Sequence, residues 1–358
     1  MAQALWMKKA DLSTTQIVDL PDMPLADNAV RLEIQSFAVT ANNVTYAVIG
    51  DMFQYWNFFP APDGWGIVPM WGHARVVASH CPDIAVGERV YGYLPAATHL
   101  DVIPGKITAS GFTDMADHRQ PMSVFYNQYS RLAADPEHDP AHEDARMIFG
   151  PLFKTGFLIE AFYRRNDWFG ATDLILTSAS SKTAMALAHC AKINAPGIRR
   201  IGLTSPANCA FVAATGLYDA VVAYDQVDSL PRVPAVSVDF AGNASVLRAI
   251  HTHFAPDLRY SSTVGLTHVD GRTGQDAPLP GPEPVLFFAP TEALETIKAL
   301  GPAGFAAAVA QAWTSFIAAT RTSVITEHQH GLDAAQQVFL KTLAGAQSPD
   351  KGIVIQLP

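Results

Sequence analysis

The hydrophobic pattern changes near residue 150, and this change restricts the chain to two different kinds of domain. Before it, apolar and polar residues alternate in short segments such as Val30 to Phe37 and Gly72 to Ser79, which is typical of half-buried strands. After it, short and nearly all-apolar runs alternate with helical segments, as in a parallel sheet covered on both faces. A chain of 358 residues is long enough for two domains. The sequence therefore predicts a small β-barrel or β-sandwich followed by an α/β domain.

The second half contains apolar runs that predict buried parallel strands, namely Asp173 to Ser178, Arg200 to Thr204, Ala220 to Tyr224 and Ala235 to Phe240. The alanine-rich segment from Thr183 to Ile193 predicts a helix between the first two runs. Strands that alternate with helices are joined by right-handed crossovers. The predicted fold class is therefore α/β, with a doubly wound parallel sheet in this part of the chain.

Charge and composition exclude several classes of partner. The net charge is −9, whereas a nucleic-acid-binding surface is basic. No apolar run approaches the roughly 20 residues that span a bilayer, so we expect no membrane segment. The first 20 residues mix charged and apolar side chains, which argues against a secretory signal. Three scattered cysteines give neither a disulfide framework nor a paired metal motif, and they favour a reducing cytoplasm.

The turn after the first parallel strand is the main candidate for a nucleotide site. A Rossmann unit holds a dinucleotide pyrophosphate on the amides of such a turn and of the helix that follows. Here the turn contains Ser180, Ser181, Lys182 and Thr183, and it lacks the glycines of the usual fingerprint. Small side chains still allow close backbone approach, and the lysine adds positive charge. The alternative is a serine that caps an ordinary helix with a solvated lysine.

The end of the second strand predicts which nicotinamide cofactor is bound. An acidic residue there accepts a hydrogen bond from the ribose 2′-hydroxyl and favours NAD. This chain has Thr204, Ser205 and Asn208 at that place and no acid. Hydroxyl and amide groups donate to a 2′-phosphate, so the sequence favours NADP.

A series of motifs, in order along the chain, resembles the medium-chain dehydrogenase/reductase superfamily. The series begins with Ala26 to Gly50, Gly72 to Val77 and the turn Val86-Gly87-Glu88-Arg89-Val90-Tyr91-Gly92. It continues with Lys154 to Phe157, Gly216 to Tyr224, the strand end Val238 to Asn243 and the ending Lys351 to Ile355. The chain is most similar to the zinc-independent, quinone-oxidoreductase-like end of the superfamily. Within it, the segments Thr40 to Ala47 and Leu203 to Pro206 resemble an uncharacterised, domain-of-unknown-function branch.

This resemblance implies a domain organisation. Residues 1–150 would form a GroES-like β-barrel catalytic domain and residues 151–295 a Rossmann dinucleotide-binding domain. Residues 296–358 would return to complete the catalytic domain, with cofactor and substrate in the cleft between domains. Tyr224 matches the family tyrosine near the adenosine phosphate, and Ala241 lies in the turn near the ribose and nicotinamide. By analogy we also expect a homodimer.

The zinc-binding pattern of related dehydrogenases is incomplete here. His73 matches the histidine of their metal motif, but Ala74 follows it in place of the glutamate. No cysteine stands near Asn42 and Asn43, and Cys81 has no partner cysteine nearby. Because a catalytic zinc needs three protein ligands, we predict no metal site. His73 is better interpreted as a packing or hydrogen-bonding residue.

An aromatic segment in the first domain predicts an apolar substrate pocket. The segment from Phe53 to Trp65 has no clean period and contains prolines and glycine, as a loop does. Its aromatic side chains are predicted to line the pocket; they are Phe53, Tyr55, Trp56, Phe59 and Trp65. The alternative is that they belong to the core, because aromatic residues dominate core packing.

Four residues are candidates for the chemistry. Asn42 and Asn43 are predicted to donate hydrogen bonds to a substrate carbonyl oxygen. Tyr46 is the first candidate to protonate the adjacent carbon and Tyr126 the second, and each has a structural role as its alternative. A further polar cluster, Asp114, His118 and Arg119, is interpreted as a salt-bridged surface loop.

The sequence thus supports two hypotheses from different classes. The first is an NADP-dependent, zinc-free oxidoreductase that acts on a small apolar enone, enoyl compound, quinone or ketone. The second is a catalytically inactive, reductase-like nucleotide sensor or structural protein, which the missing glycines suggest. NADPH binding without turnover on a panel of enones and quinones would favour the sensor, and failure of both NADPH and NADH to bind would exclude the enzyme and the sensor.

Overall fold

The computed structural model describes residues 2–264 and 278–358. The chain divides into two compact units. The first consists of Met1–Ile148 together with Thr326–Pro358, and the second of Phe149–Ile325.

The first unit is built from antiparallel strands. They are β1 (Gln3–Lys8), β2 (Asp11–Asp19), β3 (Val30–Val39), β4 (Trp65–Gly66), β5 (Pro69–Ser79), β6 (Arg89–Pro95), β7 (His99–Val102), β8 (Pro104–Gly105), β9 (Gly111–Asp114) and β10 (Gln128–Arg131), followed after the second unit by β17 (Ile325–His330) and β18 (Lys351–Gln356). Within the described residues, nine of them form one sheet in the order β17-β18-β3-β5-β6-β10-β9-β8, with β7 pairing on β3. The remaining three form a second sheet, β2-β1-β4. The predicted antiparallel, barrel-like first domain is confirmed.

Alternation of side chains explains the main strand of this sheet. In β3, Val30, Leu32 and Ile34 point into the core and the residues between them are half-exposed. Two helices cover the unit, α1 (Ala41–Val48) and α7 (Gly331–Leu343), and they pack against each other. The hairpin of β1 and β2 was not predicted, because β2 lacks a regular apolar alternation.

The second unit contains a parallel sheet. Its described strands are β11 (Asp173–Leu176), β12 (Arg199–Thr204), β13 (Ala220–Ala223), β14 (Ala235–Asp239), β15 (Leu258–Thr263) and β16 (Val285–Leu286). Their order is β13-β12-β11-β14-β15-β16, and every pair is parallel. This is the doubly wound order of a dinucleotide-binding fold, whose topological switch point lies between β11 and β14. The all-apolar runs in the sequence therefore predicted the Rossmann sheet correctly.

Helices flank the second unit's strands. They are α2 (Glu143–Arg165), which contains the first unit boundary, α3 (Lys182–Asn194), α4 (Cys209–Ala214), α5 (Ala244–Phe254) and α6 (Ala289–Thr320). A Cβ atom added at Gly156 of α2 would lie 2.7 Å from the Leu187 amide nitrogen of α3, so glycine is needed where these helices meet. Helix α6 packs on α3 and belongs to the second unit, although the sequence placed residues 296–358 in the catalytic domain. The chain returns to the first unit at Thr326 and not at residue 296, because helix α6 runs through residue 296 and ends at Thr320.

Helix α6 also differs from the expectation of no membrane-length segment. Of the described helices, it is the one long and apolar enough to cross a bilayer, by length and composition only. The sequence scan missed it because alanine, glycine and threonine interrupt its larger apolar residues. Gly301, with φ of 72°, breaks its helical geometry, and Val309 and Phe316 are buried within the protein.

Candidate functional site

The turn that follows β11 holds its backbone in an unusual conformation without a glycine. Ser178 has φ of 45°, in the left-handed region that favours glycine. Such a residue costs about 1 kcal/mol or more, and strain of this kind concentrates at binding sites. The Ser178 amide donates to the Tyr224 hydroxyl at 3.0 Å, and the Ala179 amide donates to the Leu203 carbonyl at 3.0 Å. The fold therefore holds Ser178 in the conformation for which glycine would be expected.

Close packing of this turn depends on a glycine in the neighbouring strand. A Cβ atom added at Gly202 of β12 would lie 2.9 Å from the Ala179 methyl group and 3.0 Å from the Tyr218 ring. The Tyr218 hydroxyl donates to the Ala179 carbonyl at 2.7 Å. In the usual fingerprint, glycines within the turn leave room for close packing. Here Gly202 of the neighbouring strand leaves that room. Sequence reasoning missed both Gly202 and Tyr218, because they are distant from the turn along the chain.

The N-terminus of α3 has the backbone amides that can bind an anion. Ser181 is the N-cap residue, and its hydroxyl accepts a hydrogen bond from the Ala184 amide at 3.2 Å. The first-turn amides of a helix point beyond its N-terminus, and here the first turn begins at Lys182. The Asn208 side chain lies 3.4 Å from the Ser180 hydroxyl. The helix dipole and these amides together suit a phosphate group.

The switch point itself is held by a buried hydrogen-bond network. The Thr177 hydroxyl donates to Asp239 Oδ1 at 2.6 Å and accepts from the Phe240 amide at 2.8 Å. The Asp239 carboxylate also accepts from the amides of Ala241 and Gly242, at 3.1 and 3.2 Å. Thr177 and Asp239 are both about 1 % exposed or less. This network fixes the two strand ends that border a dinucleotide in folds of this kind.

The edge next to the turn carries hydroxyl and amide groups and no acid. Thr204 is the buried last residue of β12, and Ser205 and Asn208 follow it half-buried. From Thr204 to Asn208 the chain has no carboxylate that would repel a 2′-phosphate. Sheet order, small turn residues and first-turn amides therefore fit a dinucleotide, and this edge fits NADP better than NAD.

In the first unit the fold brings four tyrosines together, named here the tyrosine cluster: Tyr46, Tyr55, Tyr93 and Tyr126. The Tyr46 ring centroid lies 4.6 Å from that of Tyr55 and 5.4 Å from that of Tyr93. The hydroxyls of Tyr55 and Tyr126 are 3.3 Å apart, and Trp71 Nε1 donates to the Tyr46 hydroxyl at 3.1 Å. Both candidate proton donors thus belong to one group of phenols. Tyr93, which the sequence did not single out, lies at its centre.

Burial controls the protonation of this cluster. Removal from water raises the pKa of Tyr46 and holds the pKa of Tyr126 well above its ordinary value. The Tyr93 hydroxyl is buried and has no hydrogen-bond partner among the residues that the structure describes. All of these phenols therefore remain protonated at neutral pH, as a proton donor must.

The two asparagines differ in their surroundings. Asn43 is 2 % exposed, and its amide nitrogen donates to the Pro69 carbonyl at 2.8 Å. Its Oδ1 accepts from the Thr40 amide at 2.6 Å and completes a capping box at the start of α1. These contacts assign Asn43 to the fold, instead of the predicted contact with a substrate carbonyl. Asn42 is half-exposed and interacts with the Tyr46 hydroxyl, so it is the better placed of the two.

The residues of the predicted pocket wall are buried or half-buried. Trp56 and Phe59 are 4 % and 3 % exposed and belong to the core of the first unit. Trp56 fills the space above Gly50 and Gly66, where an added Cβ atom would lie within 2.3 Å of its ring. For these two residues the structure supports the alternative interpretation, core packing. Tyr55 is buried in the same core and belongs to the tyrosine cluster, while Phe53 and Trp65 are half-buried.

His73 is buried in the middle of β5. Neither ring nitrogen has a partner among the residues described, and the ring centroid lies 5.1 Å from that of Tyr91. Of the two roles predicted for His73, packing agrees with its environment and hydrogen bonding does not. Burial lowers the pKa of His73 to about 4, so the ring is neutral in the folded protein.

This neutral histidine predicts a loss of stability on acidification. The ordinary pKa is 6.5 and the folded value about 4, so the unfolded chain takes up the proton first. The contribution of His73 is present above pH 6.5 and falls progressively down to about pH 4, by about 3 kcal/mol in total. We expect His73→Phe to lose this component and to be about 1 kcal/mol more stable at pH 7, because two unpaired nitrogens are removed.

Urea unfolding of both proteins at several pH values between 7 and 4 measures this difference directly. Other buried histidines, such as His189, contribute to both proteins equally and cancel. A His73→Phe variant that is less stable at pH 7 and has the wild-type pH dependence would contradict the assignment.

The described residues contain no group of three or more His, Cys, Asp or Glu side chains that could hold a metal ion. In particular, no such group includes His73.

Solved structures with a similar fold cover the whole chain. CurA from Vibrio vulnificus in complex with NADPH is 14% identical with a TM-score of 0.62, and the match covers 100% of this chain and 99% of that one. The yhdH oxidoreductase from Salmonella enterica in complex with NADP is 12% identical with a TM-score of 0.55, covering 99% and 100%. Mycobacterial Rv1454c complexed with NADPH is 13% identical with a TM-score of 0.58, also covering 99% and 100%. These likenesses show the fold, a GroES-like barrel domain and a Rossmann domain.

The family assignment is narrower than the fold. Residues 37–348 match the family described as "Protein of unknown function (DUF2855)", and the chain belongs to this family. No curated protein matches the sequence.

Proposed function

We propose that this protein is an NADP-dependent, zinc-free reductase of the quinone-oxidoreductase-like type that acts on an apolar enone, enoyl compound, quinone or ketone. One observation carries the proposal: the small-residue turn from Thr177 to Lys182 lies at the switch point of a doubly wound sheet, beside a strand end without an acid. The NADP-bound and NADPH-bound proteins of the same fold support it. Free cysteines at all three positions support a cytoplasmic location, and a homodimer remains part of the proposal.

The residues of the second unit would hold the cofactor. The first-turn amides of α3 and the Lys182 ammonium group would bind the pyrophosphate, together with Ser180, Ser181 and Thr183. Thr204, Ser205, Asn208 and Tyr224 would contact the adenosine ribose and its 2′-phosphate, and Ala241 the nicotinamide side. Bound NADPH supplies a hydride, which is the chemistry that the protein side chains lack.

The first unit would supply the hydrogen bond that polarises the substrate carbonyl group, and the proton. An enone gains a hydride at its β-carbon and a proton at its α-carbon, so one proton donor is required. In this proposal the Asn42 amide donates to the substrate carbonyl oxygen and stabilises the developing enolate charge. The Tyr46 hydroxyl gives its proton to the α-carbon, and solvent restores it afterwards. The raised pKa of Tyr46 favours return of the proton to its oxygen.

Lys182→Ala is expected to weaken NADPH binding about fivefold, because a positive charge is lost beside the pyrophosphate. The measurement is a titration of nicotinamide fluorescence. Lys192→Ala is the matched control: Lys192 lies at the other end of α3 and donates to the Gly216 carbonyl at 2.9 Å. Equal dissociation constants for Lys182→Ala and the wild-type protein would remove the lysine from the proposed site.

A catalytically inactive nucleotide sensor is the second candidate. The observation that favours it is that the Ser178 and Ala179 amides are bonded within the protein and are not free for phosphate. Saturable NADPH binding without turnover of any enone, quinone or ketone would support the sensor. Hydride transfer, followed as loss of absorbance at the reduced nicotinamide band, would support the reductase.

A further inference from the structure

A charged pair is buried completely beside the tyrosine cluster. Asp114 and Arg119 are each 1 % exposed, and Arg119 Nη1 lies 2.9 Å from Asp114 Oδ2. The sequence interpreted these residues as a surface salt bridge, and the structure corrects this, because β9 and the following turn carry both inward. Burial of two charges costs several kcal/mol per ion, and hydrophobic residues of similar volume are often as stable. Stability alone therefore gives a weak reason for this pair.

The Arg119 guanidinium bonds in several directions at once. Its Nε donates to Asn127 Oδ1 at 3.0 Å, and its Nη1 also donates to the Tyr129 hydroxyl at 2.9 Å. Its Nη2 donates to the Tyr126 backbone carbonyl at 2.7 Å. In return, the Asn127 side chain donates to the Arg119 carbonyl at 2.9 Å. The planar fork of arginine makes these contacts, and a lysine ammonium group does not reproduce them.

The anchors of this network are equally well held. Asp114 Oδ1 accepts from the amides of Ile103 and Ala116, each at 3.0 Å. The guanidinium carbon lies 5.4 Å from the Phe58 ring centroid and 5.2 Å from that of Phe59. The arginine is thus fixed on both sides and shielded from water. Its contact with Tyr126 holds a short 3₁₀ turn, Val124–Tyr126, that has little support of its own.

We propose that Arg119, with Asp114 and Asn127, is a positioning residue that holds Tyr126 in the tyrosine cluster against Tyr46, whose ring centroid is 6.3 Å from that of Tyr126. The inference rests on the proposed reductase function, in which Tyr46 gives the proton. The Tyr126 ring lies 4.8 Å from that of Tyr93, and its hydroxyl 3.3 Å from that of Tyr55. Release of the Tyr126 carbonyl would let this ring move, and a displacement of about 1 Å costs up to about 100-fold in rate.

The test is a double-variant cycle combined with a direct measurement of the tyrosine. Arg119→Lys keeps the positive charge opposite Asp114 and loses the planar guanidinium group with its several donors. Asn127→Ser is the second variant, and it removes two bonds to Arg119 while the ion pair stays. Arg131→Lys is the matched control, because Arg131 forms a similar two-pronged pair with Glu88 in the same unit. Each variant is made in the full chain, with and without Tyr126→Phe.

The first readout is kcat with NADPH and an enone or quinone. We expect Arg119→Lys to lower kcat about tenfold in the wild-type background and to have no further effect in the Tyr126→Phe background. Arg131→Lys should have the same small effect in both. If the losses from Arg119→Lys and Tyr126→Phe multiply, Arg119 does not act through Tyr126 and the proposal is overturned.

The second readout needs no turnover. In protein labelled with 3-fluorotyrosine, the fluorine resonance of Tyr126, assigned with Tyr126→Phe, should shift in Arg119→Lys and Asn127→Ser. The resonance of Tyr218 in the other unit should not. An unchanged Tyr126 resonance overturns the proposal. If the wild-type protein reduces no substrate, the proposed function and the catalytic part of this inference fail together, and the resonance still decides whether Arg119 holds the ring.

Discussion

Replacement of Tyr46 by phenylalanine is expected to lower kcat about 100-fold while the dissociation constant of NADPH changes less than about twofold. The aromatic ring stays in its contacts with Tyr55 and Tyr93, and only the hydroxyl is lost. Steady-state kinetics with NADPH and an enone, together with fluorescence titration of NADPH, separate the two quantities. The effect falls on kcat because the hydroxyl acts on the reacting carbon.

Tyr163→Phe provides the control for this experiment. Tyr163 is a buried tyrosine of the other unit, and its hydroxyl donates to the Ser237 carbonyl at 3.1 Å. Its loss is expected to change stability and to leave kcat unchanged. If Tyr46→Phe retains the wild-type kcat, Tyr46 is not the proton donor, and Tyr126→Phe becomes the variant to measure.

Asp239→Ala is expected to have the largest effect on the second unit. Its carboxylate accepts from the Thr177 hydroxyl and from the amides of Ala241 and Gly242, and all of these are buried. Without it, the free energy of unfolding should fall by about 3 kcal/mol, because several buried donors lose their acceptor. NADPH affinity should fall about 100-fold, since the strand ends that border the cofactor are no longer fixed.

Urea unfolding and NADPH titration measure these two effects. Asp239→Asn is the graded comparison, because it keeps an oxygen for the Thr177 hydroxyl and replaces the other acceptor by a donor. An intermediate loss of stability and of affinity is expected for it. If Asp239→Ala binds NADPH as tightly as the wild-type protein at a temperature where both are folded, the switch point is not the cofactor site.

The sequence predicted the two folds well because their patterns are local. Alternation in Val30 to Phe37 and the all-apolar run from Asp173 each follow from which faces of a strand are buried. The turn after β11 was harder to interpret from the sequence, because the glycine fingerprint of a dinucleotide site considers only residues within that turn. The left-handed Ser178 is held by Tyr224, and the close approach is permitted by Gly202, both far away in sequence. Such compensation becomes visible only when neighbouring strands are aligned.

The candidate site of the first unit shows the same limit in another form. Composition indicated an aromatic loop, but it did not show that Trp56 and Tyr55 are both buried in the core, or that Tyr55 joins the tyrosine cluster. The charged residues of the turn after β9 looked like a solvated surface, because charge in a sequence usually is solvated. Burial of Asp114 and Arg119 depends on hydrogen-bond partners such as Asn127 and Tyr129, which lie further along the chain.

The most direct test of the central claim is a fluorescence titration of the wild-type protein with NADPH and with NADH. We expect saturable binding of one NADPH per chain, with an affinity at least about tenfold higher than that for NADH, because Thr204, Ser205 and Asn208 present donors and no acid. Failure of both nucleotides to bind would contradict the dinucleotide site, and with it the reductase and the sensor alike.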